Sequence, residues 1–137
     1  MTAIPESVDL ARLAAMAAAE KSGTDIVGLD VSEHLAVTDI FLVVSAANER
    51  QVGAVVEAIE EAAAKAGSKV ARREGERENR WVLLDLVDVV VHVQRQEERE
   101  LYSLERLWKD CPRVDLQLPA EPQDAGAAAA DGLDSGQ

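Results

Sequence analysis

Three carboxylates and one imidazole stand where charge is least expected. Asp39 precedes the apolar run 40–44, while Asp85, Asp88 and His92 interrupt the segment 81–93, otherwise mostly Val and Leu. Ionisable groups in such surroundings must be paired, partly exposed or functional, because desolvating a lone charge is costly. A carboxylate set of this kind is what a Mg²⁺-dependent nucleotidyltransferase uses to hold its metal. Two features oppose that chemistry. Side chains alternate faces along a strand, so Asp85 and Asp88 point to opposite sides unless a turn intervenes. Residues 44–48 read Val-Ser-Ala-Ala-Asn, without the glycine that lets a backbone approach a phosphate closely. The plainer reading is turn chemistry, with Asp88 capping a turn and Asp85 accepting hydrogen bonds from backbone or arginine. His92 shares a strand face with Val90 and Gln94. As a general base it needs a nucleophile or relay partner, and none is nominated, so it reads as a hydrogen-bonded histidine near the sheet surface. No catalytic residue, metal ligand or cofactor is assigned. His34, in a loop, carries no signal.

The elements that must position these groups follow from periodicity. Residues 5–22 form an Ala-rich helix, with Pro5 in its first turn, Leu10, Leu13, Ala14 and Ala17 on one stripe, and Gly23 at its end. Residues 25–31 alternate as a strand, and 40–44 are apolar throughout, as in a central strand. Asn48 caps a second helix, with Gln51 completing a capping-box-like pair and Val52, Val55, Val56, Ile59 and Ala63 facing the sheet. Gly67 ends it. A short strand at 69–71 leads into 72–80, which has no apolar residue and reads as a solvated loop. Strands at 81–86 and 89–94 form a hairpin, and a last helix at 96–109 stops near Pro112. The order α, β, β, α, β, β, β, α predicts an α/β (α+β) fold, a mixed sheet of about five strands covered by helices.

Aromatic residues make up 3% of the chain, and three of the four are Trp81, Tyr102 and Trp108. Trp108 with Leu101 and Leu104 reads as the buried stripe of the last helix, and Tyr102 falls at the border of that stripe. Aromatic groups with a polar tip beside charges are typical binding anchors. Glu98, Tyr102 and Glu105, at spacings of three, four and seven, share one anionic helix face.

Composition narrows the classes. Acidic residues number 26 against 14 basic, a net charge of −12 that opposes direct nucleic-acid binding and favours a basic protein partner. Residues 119–137 carry four acids, no base and few apolar groups, and are expected to be a disordered acidic tail. Taking those four from the net −12 leaves −8 on residues 1–118, expected to form a single domain. Such a body buries about two-thirds of its unfolded surface without a staple. Cys111 is alone, so no internal disulfide forms, and two histidines with one cysteine argue against a structural zinc site, in keeping with a reducing cytoplasm. Neither a signal peptide nor a run long enough for a membrane helix is apparent.

The string W-x-L-L-D-x-x-D-x-V-V-H-V from Trp81 to Val93, followed by R-x-x-Y-x-L-E-x-L-W from Arg99 to Trp108, resembles the ribosomal silencing factor family, also called RsfS or Iojap. Thr38-Asp39-Ile40-Phe41 with Ser45, and Asn48-Glu49-Arg50-Gln51-Val52, match further elements of it, so the resemblance spans roughly residues 8–108. It implies a nucleotidyltransferase-like mixed sheet and a non-enzymatic factor. Such a factor docks on large-subunit protein number fourteen at the intersubunit surface, blocks subunit joining in slow growth or starvation, and forms a homodimer when free. By the same resemblance the partner surface falls on Trp81, Asp85, His92, Arg99, Tyr102 and Glu105. Trp81 and Tyr102 supply apolar area there and Glu105 a salt bridge to the partner, with Asp39, Arg50 and Trp108 in support. The alternatives are a Mg²⁺-dependent nucleotidyltransferase using Asp39, Asp85 and Asp88, and a homodimeric assembly factor with some other basic partner.

Overall fold

A computed structural model describes residues 2–119; all of the expected acidic tail except Pro119 lies outside the described residues. The elements are α1 (Pro5–Glu20), β1 (Thr24–Asp30), β2 (Ile40–Ala46), α2 (Glu49–Lys65), β3 (Arg72–Glu74), β4 (Trp81–Asp85), β5 (Val89–Arg95), α3 (Gln96–Leu101), α4 (Leu104–Leu107) and β6 (Arg113–Val114). One mixed sheet runs β3-β4-β5-β2-β1-β6. Only β2 and β5 are parallel, and these two apolar strands occupy the middle.

Where about five strands are expected, six are found among the described residues. The short strand predicted at 69–71 lies at Arg72–Glu74, because Arg72, Arg73 and Glu74 pair with Asp85, Leu84 and Leu83 while their charged side chains stay in water. An all-polar edge strand leaves no apolar period to read, and charge there discourages edge pairing. The sixth strand is two residues pairing with Gly28 and Leu29, too short for any pattern.

Alternation splits the sheet into two faces. Ile40, Leu42, Val44 and Ala46 of β2, Val89, Val91 and Val93 of β5, and Val82 and Leu84 of β4 form the core beneath the helices. From α2 come Val52, Val55, Val56, Ile59 and Ala63, as the spacing predicts. From α1 come Ser7, Ala11, Ala14, Ala15, Ala17 and Ala18, whereas Leu13 is exposed. The stripe is rotated from the predicted one because small residues let α1 approach both α2 and the sheet closely.

The helix ends show how the layers are joined. Asn48 Oδ1 accepts from the Gln51 amide (2.9 Å), and Gln51 Oε1 accepts from the Ala47 amide (2.6 Å). Gln51 Nε2 also donates to the carbonyls of Lys21 and Ser22, tying the start of α2 to the end of α1. Ser22, not Gly23, takes the left-handed conformation after α1 (φ 67°). Glycine is needed at 23 for space, since a Cβ there would stand 2.8 Å from Val44 Cγ1 and 2.9 Å from the Ala18 carbonyl oxygen.

The last helix is also corrected. The single helix expected over 96–109 breaks at Tyr102 (φ −115°, ψ 74°), and Ser103 Oγ caps α4 by accepting from the Arg106 amide (3.3 Å). Consequently Leu101, expected in the buried stripe, is 73% exposed, while Leu104 is buried.

Candidate partner-binding face

Among the described residues, no long helix covers the second face of the sheet. Phe41, Val43 and Ser45 of β2, Val90, His92 and Gln94 of β5, and Trp81, Leu83 and Asp85 of β4 point to it. Across it runs a continuous row of rings. Tyr102 lies 5.3 Å from Trp81, Trp81 6.1 Å from His92, His92 5.0 Å from Phe41, Phe41 5.3 Å from Trp108, and Trp108 5.9 Å from His34. Both tryptophans, the tyrosine, the phenylalanine and both histidines of the chain are in this row. The sequence reading missed Phe41 and His34. Strand parity holds the signal for Phe41, which falls opposite Ile40 and Leu42; His34 comes from a loop and carries none.

Within the row, the Trp81 indole N–H donates to His92 Nδ1 (3.2 Å). Burial pushes the His92 pKa down to about 4, so the imidazole is neutral near pH 7. Trp108 packs on the smaller cluster of Leu29, Val31 and Cys111, together with Phe41 and Leu35.

At the end of the face, an ion pair fixes the helix break. Arg99 donates through Nε and Nη2 to the two oxygens of Glu105 (2.8 and 3.0 Å), and through Nη1 to Ser45 Oγ (2.8 Å). The guanidinium holds the Glu105 carboxyl below its ordinary range, against the opposing effect of burial. Fork-to-fork pairing of this kind sets orientation as well as charge. It clamps α3, α4 and β2 together around Tyr102, which is 51% exposed, with Leu101 and Leu107, the latter 74% exposed, on either side in the chain.

Four sequence expectations change here. Glu105, expected to reach a partner's basic group, is engaged by Arg99 within the chain. Glu98, expected beside it on an anionic face, instead binds Arg95 through both oxygens (2.8 and 2.9 Å), and that pairing lowers its pKa. Asp85 lies at the far end of this face, in the β4–β5 junction, where its Oδ1 accepts from the Val87 amide (2.8 Å). Asp39 and Arg50 do not underlie the face: Asp39 Oδ2 accepts from Ser7 Oγ (2.9 Å) and the Ile4 amide (3.2 Å) at the other end of the sheet, and Arg50 is exposed on the first turn of α2. Trp81, His92, Arg99, Tyr102 and Glu105 are brought together at one end; Asp39, Asp85 and Asp88 lie at the other.

That other end offers little to a metal. Among the described residues, no three His, Cys, Asp or Glu side chains come together so that they could hold an ion. A groove of about 760 Å³ beside Arg99, between β1 and α4, mixes Arg106 and Arg113 with Asp25, Glu100 and Asp115, and so presents no single charge. No helix among the described residues is long and apolar enough to cross a membrane.

Comparison with known proteins gives a concordant set of matches. The family model described as "Ribosomal silencing factor during starvation" matches residues 4–135. The ribosomal silencing factor RsfS of Bacillus subtilis is 42% identical over 107 residues, covering 78% of this chain and 91% of that protein. A crystal structure from Bacillus halodurans superposes with a TM-score of 0.69 at 37% identity, over 78% of this chain and 97% of the other. An X-ray structure from Chromobacterium violaceum gives a TM-score of 0.72 at 30% identity, over 83% and 94%.

Proposed function

The chain belongs to the ribosomal silencing factor family, and we propose that it is a non-enzymatic repressor that binds the large ribosomal subunit and sterically prevents the small subunit from joining. The observation that carries this reading is the apolar surface of residues 101–107, where Leu101, Tyr102 and Leu107 stand in solvent beside the Trp81 end of the aromatic row. Exposed aromatic and aliphatic groups on a rigid base are what a protein interface buries. The proposed contact is large-subunit protein number fourteen, which the family resemblance implies; a chain of net −12 is drawn to a basic protein and repelled by the RNA around it. Silencing then needs only occupancy, with no chemical step. When free, the protein covers the same patch with a second copy, as a homodimer.

The test is co-sedimentation with isolated large and small subunits, beside a Tyr102→Ala variant. Glu105 is unsuitable for this purpose because its loss breaks the clamp under the surface. The expected result is pelleting with the large subunit only, weakened about tenfold or more in Tyr102→Ala while its Tm stays that of the parent. Pelleting with neither subunit, or equally with both, removes the reading. Addition of large subunits should also convert the dimer to monomer in the complex.

A further inference from the structure

Two polar side chains on the aromatic face have hydrogen-bonding atoms without a partner among the described residues. Gln94 is 0% exposed, and neither its amide nitrogen nor its amide oxygen is bonded; His92 is 6% exposed and its Nε2 is likewise unpaired. They stand two residues apart on β5 and so share a face. In the register Gln94 sits between Trp81 of β4 and Ser45 of β2, and His92 between Leu83 and Val43. Of their polar neighbours, Ser45 Oγ accepts from Arg99 and Trp81 Nε1 donates to His92 Nδ1, and neither is bonded to the Gln94 amide. Because Nδ1 accepts, the neutral imidazole carries its proton on Nε2. The face therefore holds two kinds of buried donor and one acceptor. Leaving such groups unpaired opposes folding, and apolar residues of similar size would fill the same space without that cost. Folding alone does not account for glutamine at 94.

Trp81 flanks both residues and is itself covered by the ring of Tyr102. Tyr102 is half exposed at the break between α3 and α4, so its ring can rotate away without disturbing the sheet. We propose that the Gln94 amide and His92 Nε2 are hydrogen-bonding groups kept for a loop of the protein partner, whose peptide groups reach them when Tyr102 swings off Trp81. This rests on the large-subunit reading above and specifies its chemistry. A peptide unit offers a carbonyl and an N–H together, matching the Gln94 amide in both directions, and a neighbouring carbonyl accepts from His92. RNA, with a negative charge on every nucleotide, is repelled by a chain of net −12, so the complement is protein.

Gln94→Met and Gln94→Leu test this through two readouts that move in opposite senses. Thermal unfolding should show Tm raised by about 4 °C in the variants, as an unpaired amide is removed. Affinity for isolated large subunits should fall about tenfold, with no binding by any form to large-subunit RNA stripped of protein. A lowered Tm in both variants would show that the amide is satisfied in the native protein, and overturns the proposal. Tight binding to stripped RNA that the variants lose assigns the site to RNA and overturns it too. Wild-type protein that pellets with large subunits while the variants pellet equally well removes this proposal alone; wild-type protein that fails to pellet removes it together with the functional reading.

Discussion

Arg99 has its guanidinium almost wholly out of water, bridged to both oxygens of Glu105 and to Ser45. The two partners are therefore unequal. Replacing Glu105 by Leu leaves a buried cation without its counter-charge and should cost about 3–5 kcal/mol. Arg99→Met leaves only a carboxylate that can turn to water, and should cost less, about 1–2 kcal/mol. Urea unfolding of the two variants decides between this ranking and its reverse. His92 gives a pH prediction. The unfolded imidazole takes a proton near pH 6.5 and the folded one only near pH 4, so between these values the unfolded chain binds more protons. Stability should thus fall as the pH drops from 6.5 towards 4, by about 3 kcal/mol in full. A His92→Gln variant should show a shallower decline across that window. Glu105, whose pKa is lowered, adds stability above the ordinary carboxylate range and loses it only at more acid pH.

Among the elements, the β4–β5 junction stores strain. Val87 sits at φ 74°, with the Asp88 amide donating to the Leu86 carbonyl (3.0 Å), so a β-branched residue occupies the centre of a γ-turn. Its side chain is more exposed than buried and packs little, so Val87→Gly should stabilise the protein by about 0.5–1 kcal/mol, measurable by denaturant midpoint. Asp85 and Asp88, two of the three carboxylates that suggest a metal cluster in the sequence, belong to this same turn. Asp85 holds the Val87 amide, and the Asp88 carbonyl accepts from the amides of Asp39 and Ile40. The turn reading of Asp85 was available from its spacing to Asp88. The capture of Ser7 by Asp39 was not, because 32 residues separate them. Likewise the cap at Asn48 is local and legible, whereas the bond from Gln51 to the end of α1 depends on two helices meeting.

For the whole molecule, charge is the property that reaches farthest. A net −12 approaching a basic partner accelerates encounter through long-range attraction, which salt screens over about 10 Å at 0.1 M. Raising salt from about 0.05 to 0.2 M should therefore slow association with large subunits while changing dissociation little. Stopped-flow or surface-based kinetics would show this, and an association rate that rises with salt would contradict the basic-partner reading. The exposed apolar patch proposed as the interface sits at one end of the sheet, on top of a clamp.

Local order decided what could be read directly from the residues. The central strands are runs of Val and Leu, α2 has a capped start and a single apolar stripe, and the family motifs lie within contiguous stretches, so fold class and family were both legible. What tertiary structure decided concerns partners distant in sequence. Glu105 looked free for a partner because a helix drawn straight from 96 to 109 keeps it in solvent; the break at Tyr102 brings Arg99 to it, and Ser45, 54 residues earlier, completes the clamp. The ring row depends on strand register, which joins Trp81, His92 and Phe41 only once β4, β5 and β2 pair side by side. Side-chain period fixes which face a residue takes, but the pairing of strands fixes which neighbours it meets there.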